Sequence, residues 1–259
     1  MTQWALITGA SSGIGLHLAE LFAKDSINLV LSARSTSKLQ ALAEDLQTKH
    51  GIQVQVLAAD LAKPGAADAL VQSIEERGVV LNHLVNNAGV GVFGLFKDNS
   101  LEEELAMMQL NMQSLVVLSK KLLPHLLQTR GQIMNVASTA AFQPGPYMAV
   151  YYATKAFVLS FSEALDEELT GTGVNVTALC PGPTASGFQA QANMNKSALV
   201  QGRKLPSSEE VAVEAYAAYK ARKRVTITGW LNWAMAQSVR FTPRKVITKV
   251  VKTISKPAR

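Results

Sequence analysis

Residues 3–24 read QWALITGASSGIGLHLAELFAK, and this stretch decides how the fold begins. The apolar run before Gly9 suits a buried strand, and apolar residues recur at helical spacing after Gly15. Gly9 permits a sharp turn off the strand, Gly13 leaves room for an anion beside the backbone, and Gly15 permits close helix packing. Strand, glycine turn and helix therefore predict a phosphate-binding site at the free N–H groups of the first helical turn. An ordinary strand-to-helix turn is the alternative. A Walker loop is excluded, because no Lys-Ser/Thr pair follows Gly15.

The composition is that of a globular chain, with 259 residues of which 48% are hydrophobic and 17% charged. One large α/β domain is expected at this length. The single cysteine, Cys180, excludes an internal disulfide and favours a reducing compartment. The first strand starts almost at once, which leaves no room for a signal peptide, and no apolar run reaches the ~18 residues that span a bilayer. We therefore expect a cytoplasmic protein with, at most, a peripheral membrane contact.

Strand-like and helix-like patterns alternate along the chain. After the first strand, apolar strand-like runs recur at 27–33, 52–59, 81–85, 131–138, 174–180 and 225–228. Helical patterns lie between them, at 36–50, 65–77, 101–128 and 151–170. Such alternation predicts a doubly wound, seven-stranded parallel sheet of the Rossmann type in a single domain. Ligands of such sheets bind beyond the carboxyl ends of the strands.

Residues at those strand ends match the motifs of a known family. They are TGASSGIG (8–15), Asp60-Leu61, NNAG (86–89), Asn111, Ser138, Tyr151-x3-Lys155 and Pro181-Gly182. In this order and spacing, residues 1–230 resemble the short-chain dehydrogenase/reductase family. The resemblance implies a nicotinamide cofactor, hydride transfer to or from a carbonyl or alcohol carbon, and the strand order 3-2-1-4-5-6-7.

The Tyr151–Lys155 pair can be assessed chemically. A phenol with a pKa near 10 is a weak base at neutral pH, and Lys155, one helical turn away, is expected to pull the Tyr151 pKa towards neutrality. Ser138 is expected to position the substrate oxygen, and the resemblance assigns Asn111 to hold a water near Lys155. Tyr152, at i−3 from Lys155, is a rival for the role of Tyr151, which the family spacing favours. The alternative is a packed tyrosine with a solvated lysine nearby.

The second strand indicates which nicotinamide is bound. The acid that takes the ribose hydroxyls in NAD sites is replaced by Ala33, and Arg34 follows it. A guanidinium there suits a 2′-phosphate, with Lys38 in support, so NADP(H) is predicted. Asp60 is expected to receive the adenine amino group. No metal site is expected, because the four histidines are scattered. The full predicted cofactor site is Gly9, Ser11, Ser12, Gly13, Ile14, Gly15, Arg34, Asp60, Asn87, Ala88, Gly89, Tyr151, Lys155, Pro181, Gly182, Thr184 and Ser186.

Three segments, 90–96, 139–150 and 183–206, are expected to form the substrate walls, the last as a mobile lid that closes over bound cofactor. Their apolar and aromatic members are Phe93, Phe96, Phe142, Tyr147, Met148 and Phe188. An apolar ketone, aldehyde or 3-oxoacyl-type substrate suits such a perimeter better than a sugar. A non-catalytic NADP sensor and a membrane-surface binding protein are the rival functions. Retention of Ser138, Tyr151 and Lys155 argues against the sensor.

The helices at 101–128 and 151–170 are the surfaces that relatives use to dimerise, so a homo-oligomer, dimer or tetramer, is expected. Leu115, Val116, Leu118, Leu122 and Leu123 give the first of these helices more apolar surface than one core stripe requires.

The net charge of +6 originates in the C-terminal quarter, where residues 203–259 contain 13 Lys or Arg and 3 Asp or Glu. Residues 231–259 form a basic amphipathic extension to the catalytic domain at 1–230. In it Pro243 is a helix start, followed by an apolar stripe and a lysine stripe. The apolar stripe is Val246, Ile247, Val250, Val251 and Ile254. This helix either packs on the protein or a partner subunit, or contacts an anionic membrane or acyl carrier through 243–259. No nucleic-acid motif accompanies it.

Overall fold

The computed structural model describes residues 3–192, 194, 197, 202 and 204–256. Within them, seven strands form one sheet in the order β3-β2-β1-β4-β5-β6-β7, and every pair is parallel. The strands are β1 (Trp4–Thr8), β2 (Asn28–Ser32), β3 (Val54–Val56), β4 (His83–Asn86), β5 (Gln132–Val136), β6 (Asn175–Cys180) and β7 (Val225–Ile227). The predicted fold class and strand order are confirmed. The reversal of strand order between β1 and β4 opens a crevice at their carboxyl ends.

Helices cover both faces of the sheet. They are α1 (Gly13–Lys24), α2 (Thr36–His50), α3 (Ala66–Glu76), α4 (Leu101–Met108), α5 (Leu115–Thr129), α6 (Ala149–Glu168), α7 (Phe188–Gln191), α8 (Ser208–Lys220), α9 (Trp230–Ser238) and α10 (Arg244–Ile254). The helix expected at 101–128 is interrupted by a π-helical turn, Gln109–Ser114, that separates α4 from α5. The strand and helix patterns had not indicated α8, which begins at a capping box between Ser207 and Glu210.

Two apolar layers flank the sheet. On one face α1, α2 and α8 bury side chains such as Phe22, Leu39 and Tyr219 against β1 and β2. On the other, α3 and α5 bury Leu70 and Leu122 against β1, β4 and β5. Each fully buried leucine or phenylalanine contributes about 2 kcal/mol through removal of apolar surface from water. The packed sheet is therefore a rigid base for the loops at its carboxyl edge.

The apolar surplus predicted on α5 is taken up by the protein's own core. Leu115, Leu118 and Leu122 are buried, and Val116 and Leu123 are partly buried against the same clusters. Leu115, Leu118 and Leu122 are therefore unavailable to a second copy, because α5 packs against the sheet on one side and α3 on another, whereas the homo-oligomer itself stays a prediction. The apolar side chains that are exposed on this part of the molecule are Leu101, Leu105, Leu127 and Phe157.

The C-terminal helices lie beside the carboxyl edge of the sheet. Helix α10 begins directly after Pro243, as predicted, and buries Ile247 and Val251 against Met148 and Tyr152. The remainder of the predicted stripe is exposed to different degrees: Val246 is 48%, Val250 53% and Ile254 37% accessible. The five-residue stripe is thus divided between two environments. No helix in the described part of the chain has the length and apolar character needed to cross a membrane.

Candidate active site

A cavity of about 940 Å³ lies beyond the carboxyl ends of the strands. Its walls come from the loops after β1 to β6 together with parts of α4, α6 and the C-terminal helices. Every residue of the predicted catalytic and cofactor set lines it, except Gly15 and Asn111, which lie behind the wall. The residues predicted from separate motifs therefore surround one continuous cavity.

The glycine loop after β1 is fixed by backbone shape and by close neighbours. Gly9 and Gly13 have φ of +67° and +61°, a conformation that side chains rarely adopt. A Cβ on Gly9 would lie 2.8 Å from Asn87 Nδ2, and one on Gly15 would overlap both Asn87 Nδ2 and the Gly9 carbonyl oxygen. Gly13 has no such neighbour within 3.4 Å, so its requirement is conformational. The absence of a side chain at Gly15 therefore leaves room for Asn87 and the Gly9 carbonyl, a role that the predicted helix packing did not include.

Asn87 and Thr8 join this loop to the loop after β4. Asn87 Nδ2 donates to the Thr8 carbonyl oxygen at 2.8 Å, and the backbone N–H groups of Asn87 and Ala88 donate to Thr8 Oγ1 at 3.0 Å. Helix α1 starts at Gly13, and the side chain of its N-cap, Ser12, makes no capping hydrogen bond. The first-turn N–H groups are therefore available to an anion.

The cavity wall beyond β2 is basic. Arg34 and Lys38 line it and are exposed, and no carboxylate of the described residues lies within ion-pair distance of the Arg34 guanidinium. Asp60, the only acid predicted for the cofactor site, accepts a hydrogen bond from the Ala62 N–H at 3.3 Å. The electrostatic environment next to Arg34 thus favours an anionic group.

Tyr151, Lys155 and Ser138 meet at the centre of the cavity. Tyr151 and Lys155 lie one turn apart on α6, and Lys155 Nζ is 5.9 Å from the Tyr151 ring centroid. Lys155 Nζ donates to the Val136 carbonyl oxygen at 2.8 Å, and burial lowers the pKa of Lys155 to about 8. Ser138 Oγ accepts from the Ala140 N–H at 3.1 Å and faces the Tyr151 phenol.

The pKa of Tyr151 differs in direction from the expectation. Burial raises it well above its usual value, and the nearby Ser138 hydroxyl opposes that shift only in part. Desolvation prevails because the phenolate would be almost fully buried, whereas the Lys155 ammonium points to the Val136 carbonyl. In this arrangement burial favours the protonated form of the Tyr151 phenol at neutral pH.

The geometry distinguishes Tyr151 from its neighbour Tyr152. The Tyr152 ring packs so closely on Gly145 that a Cβ there would overlap it, and its hydroxyl is directed to Ser255. Tyr151 is the one that faces Ser138. Tyr152 also lines the cavity, so the choice of Tyr151 stays a prediction, which its position beside Ser138 favours.

Asn111 lies in the π-helical turn and connects the loop after β4 to helix α6. Its Nδ2 donates to the Val90 carbonyl oxygen at 2.9 Å and to Thr154 Oγ1 at 3.1 Å, and its Oδ1 accepts from the Val90 N–H at 3.0 Å. Gly89 separates Asn111 from Lys155: a Cβ on Gly89 would lie 3.3 Å from both Asn111 Oδ1 and Lys155 Nζ. Asn111 therefore holds the loop against which Lys155 packs, and its water-binding role stays a prediction.

The segment after β6 is anchored at both ends. Thr184 Oγ1 donates to the Gly182 carbonyl oxygen at 2.9 Å, and Ser186 Oγ lies 3.3 Å from Gln189 Oε1. A parallel bridge pairs Ala185 with Ser207, so the two ends of the predicted lid meet. Part of that lid, namely 193, 195–196, 198–201 and 203, lies outside the described residues, and Leu199 is among them.

The substrate end of the cavity differs from the predicted perimeter. Of its six apolar or aromatic members only Phe188 lines the cavity. Phe93 stacks on Tyr147 at 6.0 Å between centroids, Met148 is buried, and Phe96 is 66% exposed. The apolar lining comes instead from Val90, Val92, Met107, Leu110, Met194, Met235, Ala236 and Ile254. The sequence does not predict the contribution of α9 and α10, although the apolar stripe of α10 was a signal that could have shown part of it.

Three comparisons place this arrangement among known proteins. A family model described as short chain dehydrogenase matches residues 3–197. The ketoacyl reductase HetN of Nostoc sp. is 31% identical over 85% of this chain and 75% of its own length. Human 17-beta-hydroxysteroid dehydrogenase type 3 is 33% identical over 75% of this chain, which spans 63% of that longer protein. A short-chain dehydrogenase from Sphingobium yanoikuyae, solved in complex with NADPH, superimposes with a TM-score of 0.82 at 33% identity, covering 92% of this chain and 94% of its own.

Proposed function

The chain belongs to the short-chain dehydrogenase family, and from that premise we propose that it is an NADP(H)-dependent reductase of apolar carbonyl compounds. The observation that carries the proposal is the meeting of Ser138, Tyr151 and Lys155 in one cavity with the glycine loop. The cavity volume, about 940 Å³, suits a dinucleotide together with a substrate.

The residues present fit an NADP(H) molecule. Gly13 has no Cβ, and the space beside its backbone is open to a pyrophosphate, to which the first turn of α1 offers N–H groups. Arg34 and Lys38, without a neighbouring carboxylate among the described residues, suit a 2′-phosphate. Asp60 and Asn87 flank the adenosine side, and Pro181, Gly182, Thr184 and Ser186 the nicotinamide side. When bound, the nicotinamide supplies or accepts the hydride.

Three side chains of this protein perform the proton chemistry in the proposal. Ser138 Oγ binds the substrate carbonyl oxygen beside Tyr151. Tyr151, kept protonated by burial, donates its phenolic proton to that oxygen as negative charge develops there. Lys155 lies near enough to stabilise the phenolate left behind, and its lowered pKa, about 8, makes it a proton source at neutral pH.

An apolar substrate is favoured by the lining of the substrate end. Met107, Met194, Met235 and Ile254 offer flexible and aliphatic side chains with few hydrogen-bond donors. A ketone, an aldehyde or a 3-oxoacyl group on an apolar body matches this surface. The names of the ketoacyl reductase and the hydroxysteroid dehydrogenase among the relatives support the same class. The buried Cys180 supports action in a reducing compartment such as the cytoplasm.

A homodimer is the assembly we propose. Phe157 and Phe161 stack on the outer side of α6 at 5.9 Å between centroids, and Phe157 remains 40% exposed. Leu101 and Leu105 on the neighbouring α4 are more than half exposed. These side chains, and not the buried leucines of α5, are the apolar surface available to a second copy.

The test is NADPH consumption with a panel of apolar ketones, aldehydes and 3-oxoacyl thioesters. The wild-type protein should reduce at least one class. Tyr151→Phe should lose at least a thousandfold in kcat while retaining NADPH binding, and Tyr152→Phe should stay within tenfold of the wild type. Equal activity of Tyr151→Phe and the wild type, or inactivity of Tyr152→Phe alone, would show the assignment to be wrong. NADPH binding without turnover on any substrate would favour a sensor.

A further inference from the structure

The exposed apolar side chains of the described residues are concentrated at the C-terminus. Of sixteen large hydrophobic residues that are exposed, eight lie between 230 and 254. They are Trp230, Leu231, Trp233, Met235, Phe241, Val246, Val250 and Ile254. Trp230 is 75% and Phe241 88% accessible, although burial of an aromatic side chain is strongly favourable. We call this set, carried by α9, α10 and the turn between them, the C-terminal apolar surface.

The same segment is basic throughout. Residues 230–256 contain six Lys or Arg and no Asp or Glu. Lys245, Lys249 and Lys252 follow the spacing i, i+4 and i+7, which places them on one side of α10, and Lys256 follows just beyond the end of the helix. That side is opposite the buried pair Ile247 and Val251, so the lysines point away from the domain, next to Val246 and Val250.

We propose that the C-terminal apolar surface docks the protein on an anionic lipid bilayer. Tryptophan and phenylalanine side chains insert at the level of the headgroups, and lysines beside them pair with lipid phosphates and carboxylates. Charge identifies the occupant. A second copy, docked through the same surface about a two-fold axis, would bring six positive charges against six. A lipid surface of opposite charge removes that repulsion.

The C-terminal apolar surface lies beside the mouth of the cavity. Met235 and Ile254 line the cavity and are also 55% and 37% exposed, so the C-terminal apolar surface borders the cavity mouth. Beneath it, Ile247 and Val251 pack on Met148 and Tyr152, which holds α10 against the wall of the site. An apolar compound dissolved in the bilayer would meet the cavity without crossing water. This delivery step rests on the proposed function, whereas docking itself does not.

The test measures binding to vesicles, without a catalytic readout. The full-length protein is mixed at low ionic strength with vesicles of phosphatidylserine and phosphatidylcholine in equal amounts, or of phosphatidylcholine alone. We expect co-sedimentation with the anionic vesicles only, and a blue shift of tryptophan emission as Trp230 and Trp233 leave water. Binding should weaken strongly at about 0.5 M salt, where charges are screened within a few ångströms.

Variants separate the contribution of the lysines to vesicle binding from that of the tryptophans. Lys245→Glu/Lys249→Glu should weaken partitioning at least about 25-fold, since each basic side chain near such a surface strengthens binding about fivefold. The control Lys24→Glu/Lys63→Glu makes the same change of net charge at exposed positions elsewhere, and it should bind as the wild type does. Trp230→Ser/Trp233→Ser should remove the blue shift and weaken binding. Retained NADPH binding confirms that each variant is folded.

Three outcomes would overturn the proposal. One is no binding to the anionic vesicles at low ionic strength, and another is equal weakening by both charge-reversal pairs. The third is self-association: loss of dimer mass in Trp230→Ser/Trp233→Ser, without vesicle binding by the wild type, would show that a second copy covers this surface. Vesicle binding by a protein that reduces no carbonyl would leave docking established and the proposed function wrong.

Discussion

Arg34 offers the sharpest test of the cofactor assignment. In a bound NADP(H) its guanidinium would face the 2′-phosphate, and a hydrogen bond to a charged group contributes about 1.5–3 kcal/mol. Arg34 is exposed at the cavity wall, so water and salt reduce that contribution, and Lys38 retains part of the attraction. We therefore expect about 1–2 kcal/mol for Arg34→Ala, which corresponds to a 5- to 30-fold loss of kcat/KM for NADPH.

The loss should be confined to one cofactor, since NADH lacks the 2′-phosphate. The assay compares kcat/KM for NADPH and NADH with the same carbonyl substrate, in the wild type, in Arg34→Ala and in Arg34→Glu. The glutamate variant should prefer NADH, because a carboxylate repels the phosphate. Arg77→Ala, an exposed arginine that does not line the cavity, is the matched control. An unchanged NADPH/NADH ratio in Arg34→Ala would refute the assignment of Arg34.

Three further predictions concern pH, the glycine loop and assembly. Burial lowers the pKa of Lys155 to about 8, so the folded state releases this proton at a lower pH than the unfolded state does. The cost of burying the charged ammonium, which destabilises the folded state, is therefore relieved as pH rises from about 8 to 10.5. The stability of Lys155→Met relative to the wild type should therefore fall by about 2 kcal/mol between pH 7 and pH 10 in denaturant titrations, and a constant difference would contradict the shift. Gly15→Ala should lower the free energy of unfolding by about 1–3 kcal/mol and abolish NADPH binding, because its Cβ would overlap the adjacent loop. The control Gly187→Ala, with open space around it, should unfold at the same denaturant concentration as the wild type. Phe157→Glu should halve the mass measured by light scattering and Phe241→Glu should leave it unchanged; a wild-type protein of monomeric mass would refute the dimer.

Much of the fold was predictable because its determinants are local. Buried parallel strands appear as continuous apolar runs, so six of the seven predicted strands contain the observed one, whereas β4 extends one residue beyond the predicted run at 81–85. The helix predicted at 36–50 matches α2 to the residue. The π-helical turn at 109–114 was not predictable, since the hydrophobic period of α4 and α5 continues through it. Helix α8 was not predicted for a different reason, because no strand-like run immediately precedes it. Its start is nevertheless marked in the sequence by Ser207 and Glu210, which form a capping box.

The candidate site was likewise predictable only in part. Residues tied to strand ends, such as Ser138 and Arg34, lie at the cavity because the sheet places them there. Quantities that depend on burial were not predictable, and the pKa of Tyr151 moves in the direction opposite to the expected one. The substrate lining was mispredicted because the aromatic character of a loop does not show whether its rings face the cavity or each other, as Phe93 and Tyr147 do.

The bridge between Ala185 and Ser207 has a consequence for how this protein could change its substrate. The Ala185 N–H donates to the Pro206 carbonyl oxygen at 2.8 Å, and Ser208 Oγ donates to the Ala185 carbonyl oxygen at 2.9 Å. The two ends of the intervening segment are therefore held together at one point, while its residues Phe188, Ala192 and Met194 pack beside Tyr151. Longer insertions in a loop whose ends are already closed cost little free energy. Changes in the length of this segment should therefore leave the sheet in place, whereas changes at Phe188 or Met194 would alter the cavity lining beside Tyr151 and with it the substrate.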